Sequence, residues 1–116
     1  MRTLVILNDP PYGTERSYNG LRLAGSLLSG DGEDVRVFLI GDAVSCAVSG
    51  QRTPDGYYNL ATMLRGLERK GGEVGCCGTC MDARGIADTA LVEGARRSTM
   101  AELTEWTIWA DKVVNF

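Results

Sequence analysis

Three of the four cysteines in this chain fall within six residues, Gly75-Cys76-Cys77-Gly78-Thr79-Cys80. Thiols clustered in this way point to sulfur chemistry, because a thiolate is a strong nucleophile whereas a protonated, buried thiol is inert. The segment follows a hydrophobic, strand-like start and runs on into Met81-Asp82-Ala83-Arg84-Gly85. Where a strand gives way to a helix, backbone N–H groups favour the charged sulfur. The placement, more than the number of cysteines, is what marks them for chemistry.

The chain contains no histidine. It therefore lacks the commonest general base and the commonest nitrogen ligand for metals. A Ser-His-Asp or Cys-His mechanism is excluded within one subunit, and a symmetric homo-oligomer does not restore the missing residue.

Three thiol chemistries remain. Cys77-Gly78-Thr79-Cys80 is a C-x-x-C motif, which in an intracellular α/β protein reads as dithiol exchange, one cysteine attacking and the other resolving. Against that reading, the first cysteine of such a pair usually has a helix beginning right at it, and Gly78-Thr79 is not a recognisable redox dipeptide. Zinc needs four converging ligands, normally from two separated knuckles. Here there is one C-x-x-C, Cys76 and Cys77 are adjacent, and Cys46 lies thirty residues upstream, so no metal is expected.

The third chemistry is persulfide carriage. A thiolate attacks sulfane sulfur, holds it as Cys–S–SH and passes it to another thiol, which requires accessibility and nearby N–H groups or a cation but no histidine. Arg84 supplies positive charge if its side chain folds back toward the loop. Plain packing competes with all three readings, since free cysteine is among the most buried residue types. Alternation along the strand turns Cys76 opposite to Cys77 and marks it as packing. Cys46, before Ala47-Val48, carries the same reading.

The elements that position these thiols follow from the apolar pattern. Arg2 to Leu7 is a continuous apolar run, as in a strand covered on both faces of a parallel sheet. Val35 to Ile40 is a second strand, Glu73 to Cys77 a third, Ala95 to Ser98 a short edge strand and Lys112 to Phe116 the last. Helical spacing runs from about Ser17 to Leu28 and from Tyr57 to Arg69, with a short helix around Ala87 to Leu91. Thr99 with Glu102 is a capping-box pattern opening a helix that carries Leu103, Thr107 and Ala110 on one side. The polar segment from Ser45 to Gly56 reads as a functional or mobile loop.

Strands alternating with helices through short connections predict a single-domain α/β sandwich with a mostly parallel sheet. In such sheets the working site lies beyond the carboxyl ends of the strands. Asn8 to Gly13, Gly41 to Cys46, Cys76 to Cys80 and Ser98 meet there, so the thiol segment sits where this architecture places an active site.

The remaining features bound the function. At 116 residues the chain is one domain able to bury a sizeable core without metals or disulfides. A net charge of −3 gives no electrostatic reason to bind nucleic acid or an anionic membrane. No apolar run approaches the roughly 20 residues of a membrane helix, and the N-terminal segment reads as a strand, not a secretory signal. Four cysteines without an export signal point to a reducing cytoplasm. Tyr57-Tyr58, Trp106 and Trp109 are core or subunit-contact residues. Arg96-Arg97 is a solvated pair or the seat of an anionic partner. No glycine-rich nucleotide pattern follows Pro10-Pro11-Tyr12-Gly13, and no cofactor is expected.

Asn8-Asp9-Pro10-Pro11-Tyr12-Gly13-Thr14-Glu15, Leu23-Ala24 and Val37-Phe38-Leu39-Ile40-Gly41-Asp42-Ala43-Val44 together resemble the DsrE/DsrF/TusD group of small sulfur-relay proteins. Gly50-Gln51, the strand to Cys77, Arg84-Gly85, Gly94-Ala95 and Ala110 to Phe116 continue the likeness over nearly the whole chain. The resemblance implies a three-layer α/β/α sandwich with a five-stranded parallel sheet, assembled as a homo-oligomer, often a trimer or hexamer. It also implies a persulfide cysteine eight residues before the glycine of an Arg-Gly pair, which here is Cys77, serving sulfur donor and acceptor proteins. Cys80 is an addition that such relay proteins commonly lack. It is either a resolving thiol or a second acceptor, and Cys77, Cys80 and Arg84 are the candidate site. Two other functions fit the chain: a C-x-x-C oxidoreductase, and an oligomeric binding module built around the loops of Tyr12 and Gly41.

Overall fold

Five short runs, all but the fourth built on β-branched or other apolar residues, pair side by side in a computed structural model that describes residues 1–116. They are β1 (Arg2–Leu7), β2 (Asp34–Leu39), β3 (Glu73–Cys77), β4 (Ala95–Ser98) and β5 (Lys112–Asn115). Between them lie the helices α1 (Arg16–Leu28), α2 (Leu60–Arg69), α3 (Gly78–Ala83) and α4 (Met100–Trp109). Two 3-10 turns, Gly41–Ala47 and Asp88–Ala90, complete the order.

The strands stand in the order β4-β3-β2-β1-β5, and every neighbouring pair is parallel. Three connections step from β1 to β4 in one direction; the fourth returns past β1 to its far side. Right-handed crossovers therefore put α1, α2 and the β3–β4 connection on one face and α4 alone on the other. The result is the expected α/β/α sandwich, with a sheet that is parallel throughout.

Alternation divides the core between the two faces. Val5, Leu7, Val37, Leu39, Val74 and Cys76 are buried on the α1–α2 side, whereas Leu4 and Phe38 are buried on the α4 side. Trp106 seats α4. Its ring meets Phe38 edge to face, with centroids 6.1 Å apart, and a Cβ on Gly75 would lie 3.2 Å from it. The Arg36 guanidinium lies 5.4 Å from the Trp106 centroid and 3.9 Å from that of Trp109, while pairing with Glu73 at 2.8 Å.

The structure departs from the sequence pattern in four places, each for a local reason. Helix α2 starts at Leu60, not Tyr57, because the Asn59 carboxamide oxygen accepts from the Thr62 N–H at 3.1 Å and caps it. Tyr58 instead stacks on Tyr18 at 4.0 Å. The Thr99 hydroxyl caps α4, but Glu102 does not complete the box: its carboxylate is held by Arg96 and Ser98. The buried stripe of α4 runs through Trp106, leaving Thr107 exposed.

The fourth departure concerns the segment expected to be a loop. Its first residues, Ser45 to Ala47, complete the 3-10 turn, with Cys46 and Ala47 fully buried. Gln51 then donates to the Cys46 and Val48 carbonyls at 2.9 and 2.8 Å and accepts from the Tyr12 hydroxyl. The polar residues fasten the chain back on itself.

Because Trp106 is the one residue of α4 that is buried, Trp106→Ala is expected to cost about 3–5 kcal/mol. That is a large part of the stability of a domain this size. Urea denaturation followed by far-ultraviolet circular dichroism reads the loss directly.

Candidate functional site

Strand β3 ends and helix α3 begins at one residue. Cys77 is both the last residue of the strand and the N-cap of the helix, with φ −57° and ψ 114°. The pleat sends the two adjacent thiols to opposite faces. Cys76 pairs across the sheet with Leu39 and Arg97 and is fully buried, while Cys77 stands across from Ser98 on the α4 side and keeps 6% of its surface exposed.

Cys77 opens onto a cavity of about 180 Å³ whose walls include Thr79, Arg97, Ser98, Thr99 and Met100. Its sulfur lies 3.2 Å from the Thr79 hydroxyl. Burial opposes a charge on this sulfur. The Thr79 hydroxyl, the Cys80 thiol and the backbone N–H groups of Cys80 and Thr79 outweigh it and hold the thiol below its ordinary range. Of the four cysteines, Cys77 alone is shifted toward the thiolate.

Cys80, one turn along α3, is half-buried against the 3-10 turn. The Gly41 N–H donates to its sulfur at 3.1 Å, from a residue in the left-handed region at φ +60°, which favours glycine. Burial and the neighbouring Cys77 push the Cys80 thiol up, with the Gly41 N–H and Arg84 acting the other way. The two shifts run in opposite directions, so Cys77 is the thiol of the pair that ionises first.

Arg84 does not reach toward Cys77. Its guanidinium donates to the Cys80 carbonyl at 3.0 Å and to Asp42 at 2.7 and 3.1 Å, tying the end of α3 to the 3-10 turn. The guanidinium beside Cys77 belongs to Arg97, which is held by Asp82 at 2.7 and 3.0 Å and by Asp88 at 3.5 Å. It lies so close to Gly78 that a Cβ there would come within 2.8 Å of Arg97 Nε. Residue spacing did not single out Arg97, Thr79 or Gly41. The available signal was register: a parallel β3–β4 pair puts Arg97 and Ser98 opposite Cys76 and Cys77.

The other two cysteines are packing residues. Burial pushes the Cys46 and Cys76 thiols up to about 12, and both are fully enclosed. Cys76 points to the face opposite Cys77, so the four thiols do not converge as a tetrahedral zinc site requires. Of the segments expected at the carboxyl edge, the structure joins Gly41 to Cys80, Asp42 to Arg84, the Asp9 carbonyl to Cys46, and Ser98 to the Cys77 cavity.

This fold, with a cysteine at the end of its third strand, belongs to the DsrE/DsrF-like family, whose model matches residues 1–116. Among its relatives, YchN of Escherichia coli is 40% identical over 116 residues, covering 99% of this chain and 98% of that protein. An uncharacterized protein of Methanopyrus kandleri, MK0008, is 38% identical over 97% of this chain and 91% of its own length. The crystal structure of YchN superimposes with a TM-score of 0.91 over the whole of both chains at 41% identity. A protein of unknown function from Methanobacterium thermoautotrophicum, MTH1491, shares the fold at 13% identity, with a TM-score of 0.74 over 99% and 98% of the two chains.

The thiol environments predict selective alkylation. At neutral pH iodoacetamide is expected to label Cys77 at least about tenfold faster than Cys46 or Cys76, as a thiolate outpaces a buried thiol. Since the shift of Cys77 is downward, its labelling should persist to lower pH than that of a free thiol. Thr79→Val should move that profile upward. Peptide mass mapping across a pH series measures both, and equal labelling of all four thiols in the folded protein would refute the assignment.

Proposed function

We propose that this protein carries sulfane sulfur on Cys77 as a persulfide and relays it to a thiol of a partner protein. The observation that carries the reading is the pairing at one residue of a depressed thiol and an open cavity. Membership of the DsrE/DsrF-like family agrees with it. The cavity has room for an added sulfur atom beside the Cys77 thiol.

Loading and delivery are two displacements of the same kind. The Cys77 thiolate attacks the terminal sulfur of a donor persulfide; the new S–S bond forms as the old one breaks, and the donor leaves as a thiolate. An acceptor thiolate then attacks the terminal sulfur on Cys77, which leaves with the electron pair. No net oxidation occurs, so no cofactor is required. Groups that stabilise the Cys77 thiolate, Thr79 and the N–H groups of α3, also make it a better leaving group at the second step. Cys80 and Arg84 act beside it, with Arg84 fixing α3 against the 3-10 turn.

The same reading takes the protein to be a homo-oligomer. A helix on the surface of a monomer should be polar on its outer side, yet α4 exposes Ile108 by 80% and Met100 by 61%, and the neighbouring β5 exposes Val113 by 46%. Met100 is also a wall of the Cys77 cavity, so a second copy seated on α4 would border the site.

Loading is tested by incubating the protein with inorganic polysulfide, removing the excess and recording the intact mass. The wild type should gain one sulfur atom and Cys77→Ser should gain none; an adduct of equal yield in Cys77→Ser would end the assignment. Assembly is tested by light scattering. Ile108→Glu should reduce the mass of the wild-type oligomer to that of one chain, and a monomeric wild type would overturn that part of the reading.

A further inference from the structure

We infer that Cys80 resolves the Cys77 persulfide within the same chain, giving the protein a second activity: reduction of sulfane sulfur to hydrosulfide when no acceptor thiol intervenes. This rests on the carrier reading and adds to it the fate of the sulfur. Carriage and delivery need only Cys77, and they leave unexplained why a second thiol is fixed one turn away.

Three features of the site assign the role. Helix α3 begins at Cys77, so Cys77 and Cys80 occupy the N-cap and the third helical position. Residues at that spacing are neighbours on one helix face, within reach of a disulfide after a side-chain rotation. Cys80 is also held in place: the Gly41 N–H points at its sulfur at 3.1 Å, and Arg84 binds its carbonyl at 3.0 Å while paired with Asp42. That N–H stabilises the charge Cys80 must develop as it attacks. Finally, Cys80 is not among the walls of the Cys77 cavity. A terminal sulfur extending into the cavity points away from Cys80, whereas the inner sulfur, the Cys77 Sγ itself, stays beside it.

The direction of approach decides the product. Attack on the terminal sulfur would pass it to Cys80; attack on the inner sulfur expels it. Cys80 loses its proton and its sulfur bonds to Cys77 Sγ. The bond from Cys77 Sγ to the terminal sulfur breaks, and that sulfur leaves with the electron pair and a proton as hydrosulfide. The sulfane sulfur is reduced and the two cysteine sulfurs are oxidised to a Cys77–Cys80 disulfide, with no other oxidant. An external dithiol then reduces the disulfide by exchange and is itself oxidised, restoring both thiols. An acceptor protein competes with Cys80 for the loaded state, so its absence favours release.

The test uses the full-length protein loaded with inorganic polysulfide and desalted, with free sulfide and intact mass followed over time. In the wild type the one-sulfur adduct should decay to a species two hydrogens lighter than the reduced protein, releasing sulfide in equal amount, and dithiothreitol should restore the starting mass. Cys80→Ser keeps the size and hydrogen bonding of the side chain but not its nucleophilicity. It should load and hold the adduct at least about tenfold longer, releasing no sulfide. Equal lifetimes in wild type and Cys80→Ser, or transfer of the sulfur to Cys80 without sulfide release, would overturn the inference while leaving the carrier intact. Failure of both proteins to load would remove the carrier reading and this inference with it.

Discussion

The one-residue change from strand to helix at Cys77 is the constraint on which the rest of this structure depends. A strand sends alternate side chains to opposite faces, and a helix returns them to one face every three or four residues. Placing the change between Cys77 and Gly78 therefore sorts three nearly consecutive thiols into three environments. Cys76 is turned into the core, Cys77 faces the cavity, and Cys80 lies against the 3-10 turn. A shift of the junction by one residue would exchange the faces of Cys76 and Cys77 and enclose the reactive thiol. The close approach of Trp106 to Gly75 fixes the register, because a one-residue slip would bring Val74 or Cys76, each with a side chain, to the position Gly75 leaves open.

The charged groups around the site are better understood as position-holders than as sources of stability. Asp42–Arg84 and Asp82–Arg97 both lie at the exposed rim of the thiols, where ion pairs contribute little to folding. Each joins α3 to a different element. Arg84 links it to the turn that follows β2, and Arg97 links it to β4. A six-residue helix is too short to hold its own geometry in water, so these two clamps, with Met81 fully buried beneath the helix, set where Cys80 stands relative to Cys77.

Much of this was legible in the amino-acid sequence. The central strands follow from apolar runs such as Leu4-Val5-Ile6-Leu7 and Val37-Phe38-Leu39, which suit a sheet covered on both faces. The opposition of Cys76 and Cys77 follows from the pleat. What escaped depends on particular side-chain partners, near or far in the chain, that apolar periodicity does not encode. Asn59 is an ordinary polar residue until its carboxamide meets the Thr62 N–H, and the Ser45 to Gly56 segment looks mobile until Gln51 folds back onto Cys46 and Val48. Arg84 reads as a cation for the thiol loop, and Asp42, forty-two residues away, draws its guanidinium to the Cys80 end of that loop. Arg97 reads as a solvated residue until the β3–β4 register brings it beside Gly78.

A sulfur carrier needs its terminal sulfur reachable by partners and its inner sulfur protected, since attack at the two positions gives transfer and reduction respectively. The cavity beside Cys77 meets the first need, with Thr79 and Met100, the first residue of α4, among its walls. The second is met only from outside. From within the chain, the inner sulfur is flanked by a thiol that Gly41 and Arg84 hold in position. For the proposed carrier, protection from solvent thiols together with exposure to a single internal one would make the lifetime of the loaded state a property of the protein itself. In the proposed scheme, the burial and the neighbouring Cys77 that push the Cys80 thiol up make it the weaker nucleophile of the pair, which leaves an acceptor room to compete. The balance between delivering sulfur and releasing it would then turn on how readily Cys80 gives up its proton.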